Sequence, residues 1–137
     1  MTKKQNGKVK DPAYKLSVRR SSAGLGLFAD EPIPRGVFII EYFGPILTQD
    51  ESDEKGGRYL FEVAKNAVID GSSRNNIARY INHACRPNCE TDIVRGRVYV
   101  YSLRAIKEGE ELNYDYGKEY VDDFIKPYGC KCKSCLT

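Results

Sequence analysis

Turn-forming residues interrupt this chain at short intervals. Glycine and serine cluster at residues 21–26, two prolines fall within residues 32–36, and further glycines stand at positions 96 and 109. Glycine adopts turn conformations easily and proline removes a backbone donor, so both tend to end regular elements. The segments between the turns are short and rich in β-branched and aromatic residues. This pattern predicts a mainly β domain with little helix.

The individual elements follow from the same pattern. Residues 14–18 alternate apolar and polar side chains, and residues 37–43 are β-branched and aromatic, so both segments predict strands. Residues 59–63 and 67–69 predict one hairpin, residues 93–94 and 98–101 a second, and residues 112–116 a last strand. Residues 75–83 have a short helical spacing of apolar side chains. Residues 49–57 are acidic and polar, which predicts a loop.

Length and composition indicate a single globular domain. The chain has 137 residues, 41% hydrophobic and 30% charged, and its longest apolar runs are too short to span a bilayer. No signal-like segment opens it, so we expect an intracellular protein without membrane association. The net charge of +3 is too mild to indicate direct nucleic-acid binding. We expect a flexible tail over residues 1–12, a domain over residues 13–118 and a separate tail over residues 119–137.

Three segments between these elements carry candidate site residues. Residues 24–29 fit the dinucleotide fingerprint G-x-G-x-x-A, but the prolines that follow leave no room for the long helix it needs, so a tight turn or a ligand-binding loop are the alternatives. His83 is the only histidine and is either packed structurally or a general base. Tyr114 and Tyr116 share one strand face and either pack in the core or line a polar aromatic channel.

The cysteines suggest a metal site. Three of the five fall within the last eight residues, at Cys130, Cys132 and Cys135. In a reducing compartment this pattern favours zinc over free thiols or disulfides. A tetrahedral zinc site needs a fourth ligand, for which Cys85 and Cys89 are the candidates.

Taken in order, these motifs resemble those of the SET-domain lysine methyltransferases. The resemblance runs from about residue 16 to residue 135. Its anchors are residues 24–26 (GLG), 41–44 (EYFG), 79–88 (RYINHACRPN), 109–112 (GEEL) and 114–117 (YDYG). The family implies small curved sheets with short helices. It also implies a pseudoknot-like packing of the asparagine-histidine segment against the final tyrosine segment, beside a narrow channel for a lysine side chain.

The same resemblance implies three groups of site residues, with S-adenosylmethionine and zinc as cofactors. The catalytic tyrosines would be Tyr116 at the channel neck, with Tyr42 and Tyr114 along the channel. The cofactor would be bound by Gly24, Leu25, Gly26, Tyr80, Asn82 and His83, the last largely through its main chain. Zinc would be bound by Cys85, Cys130, Cys132 and Cys135, which makes residues 119–137 a post-SET tail and leaves Cys89 without a role.

The implied activity is methyl transfer to a lysine in a protein substrate, with histone tails among the candidates. Tyrosine at position 114 goes with monomethylation in this family, because its hydroxyl occupies room that further methyl groups need. The rivals are a SET fold that binds peptide or cofactor without transfer, and a zinc-containing interaction domain without a cofactor. The enzyme would act in the cytoplasm of a bacterium or on chromatin in a eukaryotic nucleus. The oligomeric state is left open.

This chain departs from the family pattern at three places. Ala84 stands where serine is usual, and Asn75 and Asn76 stand where glycine and asparagine are usual. The tail spacing Cys-x-Cys-x2-Cys is two residues shorter than the common form. The asparagine pair predicts a different local turn at residues 75–76. The shorter cysteine spacing affects the geometry expected for the zinc site.

Overall fold

The computed structural model describes residues 8–22 and 24–117, and this part of the chain is mainly β, as predicted. It contains ten short strands, one α-helix and one 3-10 helix. In chain order the elements are β1 (Leu16–Ser21), β2 (Gly24–Ala29), β3 (Phe38–Tyr42), β4 (Ile46–Leu47), α1 (Gln49–Lys55), β5 (Leu60–Ala64), β6 (Ala67–Asp70), the 3-10 helix (Ile77–Tyr80), β7 (Asn82–His83), β8 (Cys89–Val94), β9 (Arg97–Ser102) and β10 (Asn113–Tyr114). No helix within it is long and apolar enough to cross a membrane.

The strands form four small sheets. Strands β1 and β2 pair alone, β3-β9-β8 and β4-β6-β5 form three-stranded antiparallel sheets, and β7 pairs with β10 in parallel. Both predicted hairpins are confirmed, as β5–β6 and β8–β9. Their turns contain residues with positive φ, Asn66 (60°) in the first and Arg95 (52°) and Gly96 (77°) in the second. Two consecutive positive φ values suit the right-handed twist of the flanking strands.

The predicted loop at residues 49–57 is wrong, because helix α1 occupies most of it. Thr48 is its N-cap and accepts a hydrogen bond from the Glu51 N–H (3.1 Å), while the Thr48 N–H donates to the Glu51 carboxylate (2.8 Å). This reciprocal capping box satisfies two backbone donors that the first turn would otherwise leave unpaired. The helix ends at Lys55 and is followed by the C-cap residue Gly56, whose φ is 63°. The Thr-x-x-Glu sequence at residues 48–51 indicates this helix start, even though residues 49–57 are polar and acidic.

Other boundaries shift by a few residues. The last strand is β10, which has two residues instead of the predicted five. The turn expected over residues 21–26 is tighter, because β1 extends to Ser21 and β2 begins at Gly24. Residues 24–29 form strand β2 and not the start of a helix, in agreement with the rejection of the dinucleotide fingerprint.

One apolar core holds the sheets together. Its largest fully buried apolar side chains are Leu27, Ile33, Ile39, Ile69, Ile81, Val98, Val100, Ile106 and Leu112. Burying a side chain of this size contributes about 1.5–3 kcal/mol before entropy is counted. The Leu112 N–H donates to the Leu27 carbonyl (2.8 Å), which places the segment before β10 alongside β2. The core therefore fixes the ends of β2, β7 and β10 relative to one another.

Residues 8–13 contact the β3-β9-β8 sheet. The Lys10 N–H donates to the Glu41 carboxylate (2.9 Å), and Arg97 donates to the other oxygen of that carboxylate (3.0 Å) and to the Lys8 carbonyl (3.3 Å). The Glu41 side chain is fully buried, so this pairing neutralises a charge inside the protein. The domain limits at residues 12 and 118 stay predictions, and residues 118–137 lie outside the described part.

Candidate active site

The short parallel pair of β7 and β10 brings four predicted site residues together. Asn82 lies opposite Asn113 and His83 lies opposite Tyr114, so the asparagine-histidine and tyrosine segments pack as the resemblance implied. The Tyr114 and Tyr116 ring centroids are 5.0 Å apart, and those of His83 and Tyr116 are 5.4 Å apart. Such tilted and edge contacts are favourable for aromatic pairs. The result is a compact cluster of three rings at the end of β10.

The main chain and the hydroxyl of Tyr116 each form a hydrogen bond within the protein. Its N–H donates to His83 Nδ1 (3.1 Å), and its hydroxyl donates to the Ile81 carbonyl. Its ring is half-buried against the core. The phenol is thus fixed at a defined place at the edge of the core, where it can orient a polar group of a ligand.

His83 is a buried, neutral histidine. Burial lowers its pKa, and this effect exceeds the opposing attraction of Asp115, whose Oδ1 lies 3.7 Å from Nδ1. The Tyr116 N–H points at Nδ1, and Nε2 lies 3.7 Å from the Cys85 sulfur. Both ring nitrogens therefore have partners within the protein. This arrangement favours the structural interpretation of His83 over the general base.

Asn82 connects β7 to the glycine-rich segment 24–26. Its side-chain NH2 is within hydrogen-bond distance of the Leu25 carbonyl (2.9 Å), the Glu111 carboxylate (2.8 Å) and the Ser21 hydroxyl (3.2 Å). The Asn82 amide nitrogen therefore has hydrogen-bond acceptors within the protein. A role for Asn82 in cofactor binding stays a prediction, and the structure adds that its side chain positions the segment predicted to bind the cofactor.

The Glu111 carboxylate packs directly against one glycine of that segment. A Cβ on Gly26 would lie 2.4 Å from Glu111 Oε2, far inside van der Waals contact. Gly24 has a φ of 102° and nothing within 4 Å of a Cβ position, and both Gly24 and Leu25 are exposed. The backbone at residues 24–25 is thus open to a ligand on one side, while Gly26 contacts Glu111 on the other. Glu111 and Ser21 were not singled out from the sequence, because nothing local in their neighbourhood indicates these contacts.

Tyr42 and Tyr80 lie in the same apolar cluster as the tyrosines of the β10 segment. Tyr42 is 5% exposed, and its hydroxyl donates to the Tyr59 carbonyl (2.9 Å). A Cβ on Gly71 would lie 2.4 Å from that hydroxyl, so glycine makes room for it. The Arg79 guanidinium lies 5.1 Å from the centre of the half-buried Tyr80 ring and 4.1 Å from that of Tyr59. The roles of Tyr42 and Tyr80 stay predictions.

The two described cysteines differ sharply in accessibility. Cys85 is exposed, whereas Cys89 is fully buried and its pKa is raised by burial to about 12. Only a deprotonated sulfur is a good zinc ligand, so Cys85 is the better fourth ligand. Within residues 8–22 and 24–117 no three potential ligands converge on one point. Cys130, Cys132 and Cys135 lie outside the described residues, and the zinc site stays a prediction.

Comparison with known proteins identifies the family. The family model of the SET domain matches residues 24–117, more than half of the chain. The chain belongs to the SET-domain family. The match begins at the glycine-rich segment and ends just after Tyr116, so it includes the Asn82 contacts with Leu25 and Glu111 and the ring cluster.

Named relatives of this SET domain are much longer proteins. It is 36% identical over 124 residues to "Histone-lysine N-methyltransferase trithorax" of Drosophila virilis, covering 82% of this chain and 3% of that protein. It is 40% identical over 124 residues to "Histone-lysine N-methyltransferase, H3 lysine-4 specific" of Schizosaccharomyces pombe, covering 81% of this chain and 13% of that protein. A protein of the same description from Kluyveromyces lactis is 42% identical over 120 residues, covering 78% and 12%. The chain thus spans a small fraction of these relatives.

Proposed function

We propose that this SET-domain protein is a protein-lysine N-methyltransferase that uses S-adenosylmethionine. The observation that carries the proposal is the ring cluster of His83, Tyr114 and Tyr116. Beside it, the Asn82 amide holds the open backbone of residues 24–25 through the Leu25 carbonyl. A lysine-containing protein is the proposed substrate, and the histone-lysine activity in the relatives' names puts histone tails among the candidates. In a eukaryotic cell the enzyme would act on chromatin in the nucleus.

The residue types suit this chemistry. S-adenosylmethionine, when bound, supplies a methyl group on a positively charged sulfur, and a neutral amine must attack it. A free lysine has a pKa of about 10.4 and is mostly protonated at neutral pH. Apolar aromatic surroundings disfavour the ammonium form and lower that pKa. The Tyr116 hydroxyl would orient the amine, and alignment of this kind supplies much of the rate without a covalent intermediate.

We further propose that the product is mainly monomethyl-lysine. Tyr114 is 7% exposed, and its ring contacts that of Tyr116, so its hydroxyl would occupy space beside the amine. Changing Tyr114 to Phe removes one oxygen and keeps the ring contact. We expect this variant to raise the fraction of dimethyl or trimethyl product in mass spectra. An unchanged product distribution would remove Tyr114 from this role.

The zinc proposal concerns the tail. Cys85 with Cys130, Cys132 and Cys135 would bind one zinc ion and order residues 119–137 as a post-SET segment beside the site. Cys85 suits this role because it is exposed, while Cys89 is buried. Metal analysis of the purified protein should give one zinc per chain. Substitution of Cys85 by Ser should lower this content, and substitution of Cys89 by Ser should not.

The activity itself is tested by methyl transfer from labelled S-adenosylmethionine to a panel of basic proteins that includes histones. Tyr116→Phe is the matched control, since it keeps both ring contacts and removes only the hydroxyl. We expect transfer to lysine that is lost in the control. Cofactor binding by calorimetry without transfer to any substrate would favour the binding-module alternative. Absence of both binding and transfer would refute the proposal.

A further inference from the structure

Three aromatic rings share the outer face of the β3-β9-β8 sheet. Phe38, Tyr99 and Tyr101 are each half-buried. The Phe38 ring is at 80° to that of Tyr99, with centroids 5.7 Å apart, and at 75° to that of Tyr101, with centroids 6.1 Å apart. Side chains alternate between the two faces of a strand, so these rings point away from the core residue Val98. Tyr42 of the candidate active site pairs with Val98 and lies on the other face of the sheet.

Two carboxylates lie on the same face as the rings. Strand β8 places Glu90 opposite Tyr101 and Asp92 opposite Tyr99, and residues directly opposite each other in an antiparallel pair share one face. Both acidic side chains are exposed. The Arg97 guanidinium, which lines a cleft with Tyr99, is neutralised by its ion pair with a buried carboxylate of β3. The outer face thus combines aromatic rings with negative charge, which suits a cation that also has apolar surface.

The ammonium of Lys10 already contacts this face. Its Nζ lies 4.3 Å from the centre of the Phe38 ring and 5.7 Å from that of the Tyr99 ring. An ammonium within about 6 Å of a ring centre is attracted by the negative face of the ring. The Lys10 backbone is held separately, because its N–H donates to the Glu41 carboxylate (2.9 Å). The Lys10 side chain can therefore leave the rings while its backbone stays in place.

We propose that this outer face is a binding site for a methylated lysine side chain of a protein, and that Lys10 occupies it in the free chain. Methylation keeps the positive charge of lysine and adds apolar surface, which suits an aromatic site. A cleft of about 530 Å³, lined by residues 8–11, Arg97 and Tyr99, gives such a side chain room beside the rings. Methyl-lysine is the product of the proposed function, so the choice of ligand rests on that proposal. Binding at this face does not require the protein to transfer methyl groups.

NMR titration of the full chain tests the site without any cofactor present. The probe is a short glycine peptide with one trimethyl-lysine, and we expect it to shift the ring signals of Phe38, Tyr99 and Tyr101. A contact like that of Lys10 favours the bound position of an exposed ammonium by a factor of about 2 to 5, so Lys10→Ala should bind the probe about 3- to 6-fold more tightly than wild type. Lys8→Ala removes the same charge from the same segment and should stay within about 2-fold of wild type.

Further comparisons in the Lys10→Ala background identify the kind of contact. A neutral peptide, in which carbon replaces the charged nitrogen of trimethyl-lysine, should bind at least about 3-fold more weakly. Tyr99→Leu removes one ring and should abolish binding, whereas Tyr99→Phe keeps the ring and should bind normally. Circular dichroism checks that both variants are folded. Asp92→Asn changes only an exposed side chain, so it tests the face even if Tyr99→Leu does not fold, and it should weaken binding by about 2- to 5-fold.

Three results would overturn the inference. If the probe at millimolar concentration shifts none of the three ring signals in Lys10→Ala, the face does not bind methyl-lysine. Equal affinity for the charged and the neutral peptide would mean apolar contact without recognition of a cation. Equal affinity of wild type and Lys10→Ala would mean that Lys10 does not occupy the site. Loss of methyl transfer with binding intact refutes the proposed function alone, and transfer without binding refutes this inference alone.

Discussion

Gly26→Ala is the substitution for which the structure gives the sharpest expectation. The new Cβ would lie 2.4 Å from Glu111 Oε2 and 2.9 Å from Glu111 Cδ. No positive φ is required at Gly26, so the backbone itself accepts alanine. The carboxylate must move, and its hydrogen bond with the Asn82 amide (2.8 Å) is then lost or distorted.

The destabilisation caused by Gly26→Ala can be estimated from the Asn82–Glu111 hydrogen bond. A hydrogen bond to a charged group contributes about 1.5–3 kcal/mol, and replacing glycine by alanine returns about 0.4–1 kcal/mol by restricting the unfolded chain. We therefore expect Gly26→Ala to lower the free energy of unfolding by about 1–2 kcal/mol. If the proposed function holds, affinity for S-adenosylmethionine should also fall, because Asn82 holds the Leu25 carbonyl in place.

Urea unfolding of a double-mutant cycle with Glu111→Ala isolates the cause. Once the carboxylate is gone, the nearest remaining atom to the new Cβ is Ser21 Cβ at 3.1 Å, so adding Gly26→Ala should cost clearly less than it does in the wild-type background. Gly24→Ala is the matched control: it requires a φ of 102° but meets nothing within 4 Å, so its cost of about 1–2 kcal/mol is backbone strain and should be equal in both backgrounds. Equal costs for Gly26→Ala in both backgrounds would refute the steric argument.

Three further predictions follow from buried groups. Arg97→Leu leaves the Glu41 carboxylate buried without its ion-pair partner and should cost about 3–5 kcal/mol in urea unfolding; a cost below about 1 kcal/mol would contradict this. Burial raises the pKa of Asp70, but hydrogen bonds, foremost from Lys55, lower it overall. Stability from this pair is therefore present above about pH 4 and lost below it. Lys55→Met should lower the free energy of unfolding at pH 7, and the difference from wild type should become smaller as the pH falls below about 4. A difference that does not change with pH would contradict this. Cys89, with a pKa of about 12, should resist alkylation in the folded protein by mass spectrometry, and rapid labelling would contradict its burial.

Local features of the fold were predictable from the sequence, because local physics decides them. The β5–β6 and β8–β9 hairpins follow from turn residues between apolar runs, and the structure adds that Asn66, Arg95 and Gly96 in their turns have positive φ values. The polar composition of residues 49–57 does not predict helix α1, whereas the capping box of Thr48 and Glu51 is a local signal that indicates it.

The contacts that build the candidate site were not predictable in the same way. Asn82 and Glu111 are 29 residues apart, and His83 and Tyr116 are 33 apart. No periodicity or turn preference connects such positions, and only tertiary packing brings them together. The resemblance to a family supplied the site residues, but not the contacts of Glu111 or the two partners of the His83 ring.

The pairing of β7 with β10 has a consequence for how the protein folds. The hairpins β1–β2, β5–β6 and β8–β9 join neighbouring segments, so each closes a short loop and can form early. The β7–β10 pair joins segments on either side of the β8–β9 hairpin through only two residues of each strand. We therefore expect the candidate site to assemble after these hairpins, so that substitutions in β10 mainly speed unfolding, whereas substitutions in the hairpins also slow folding.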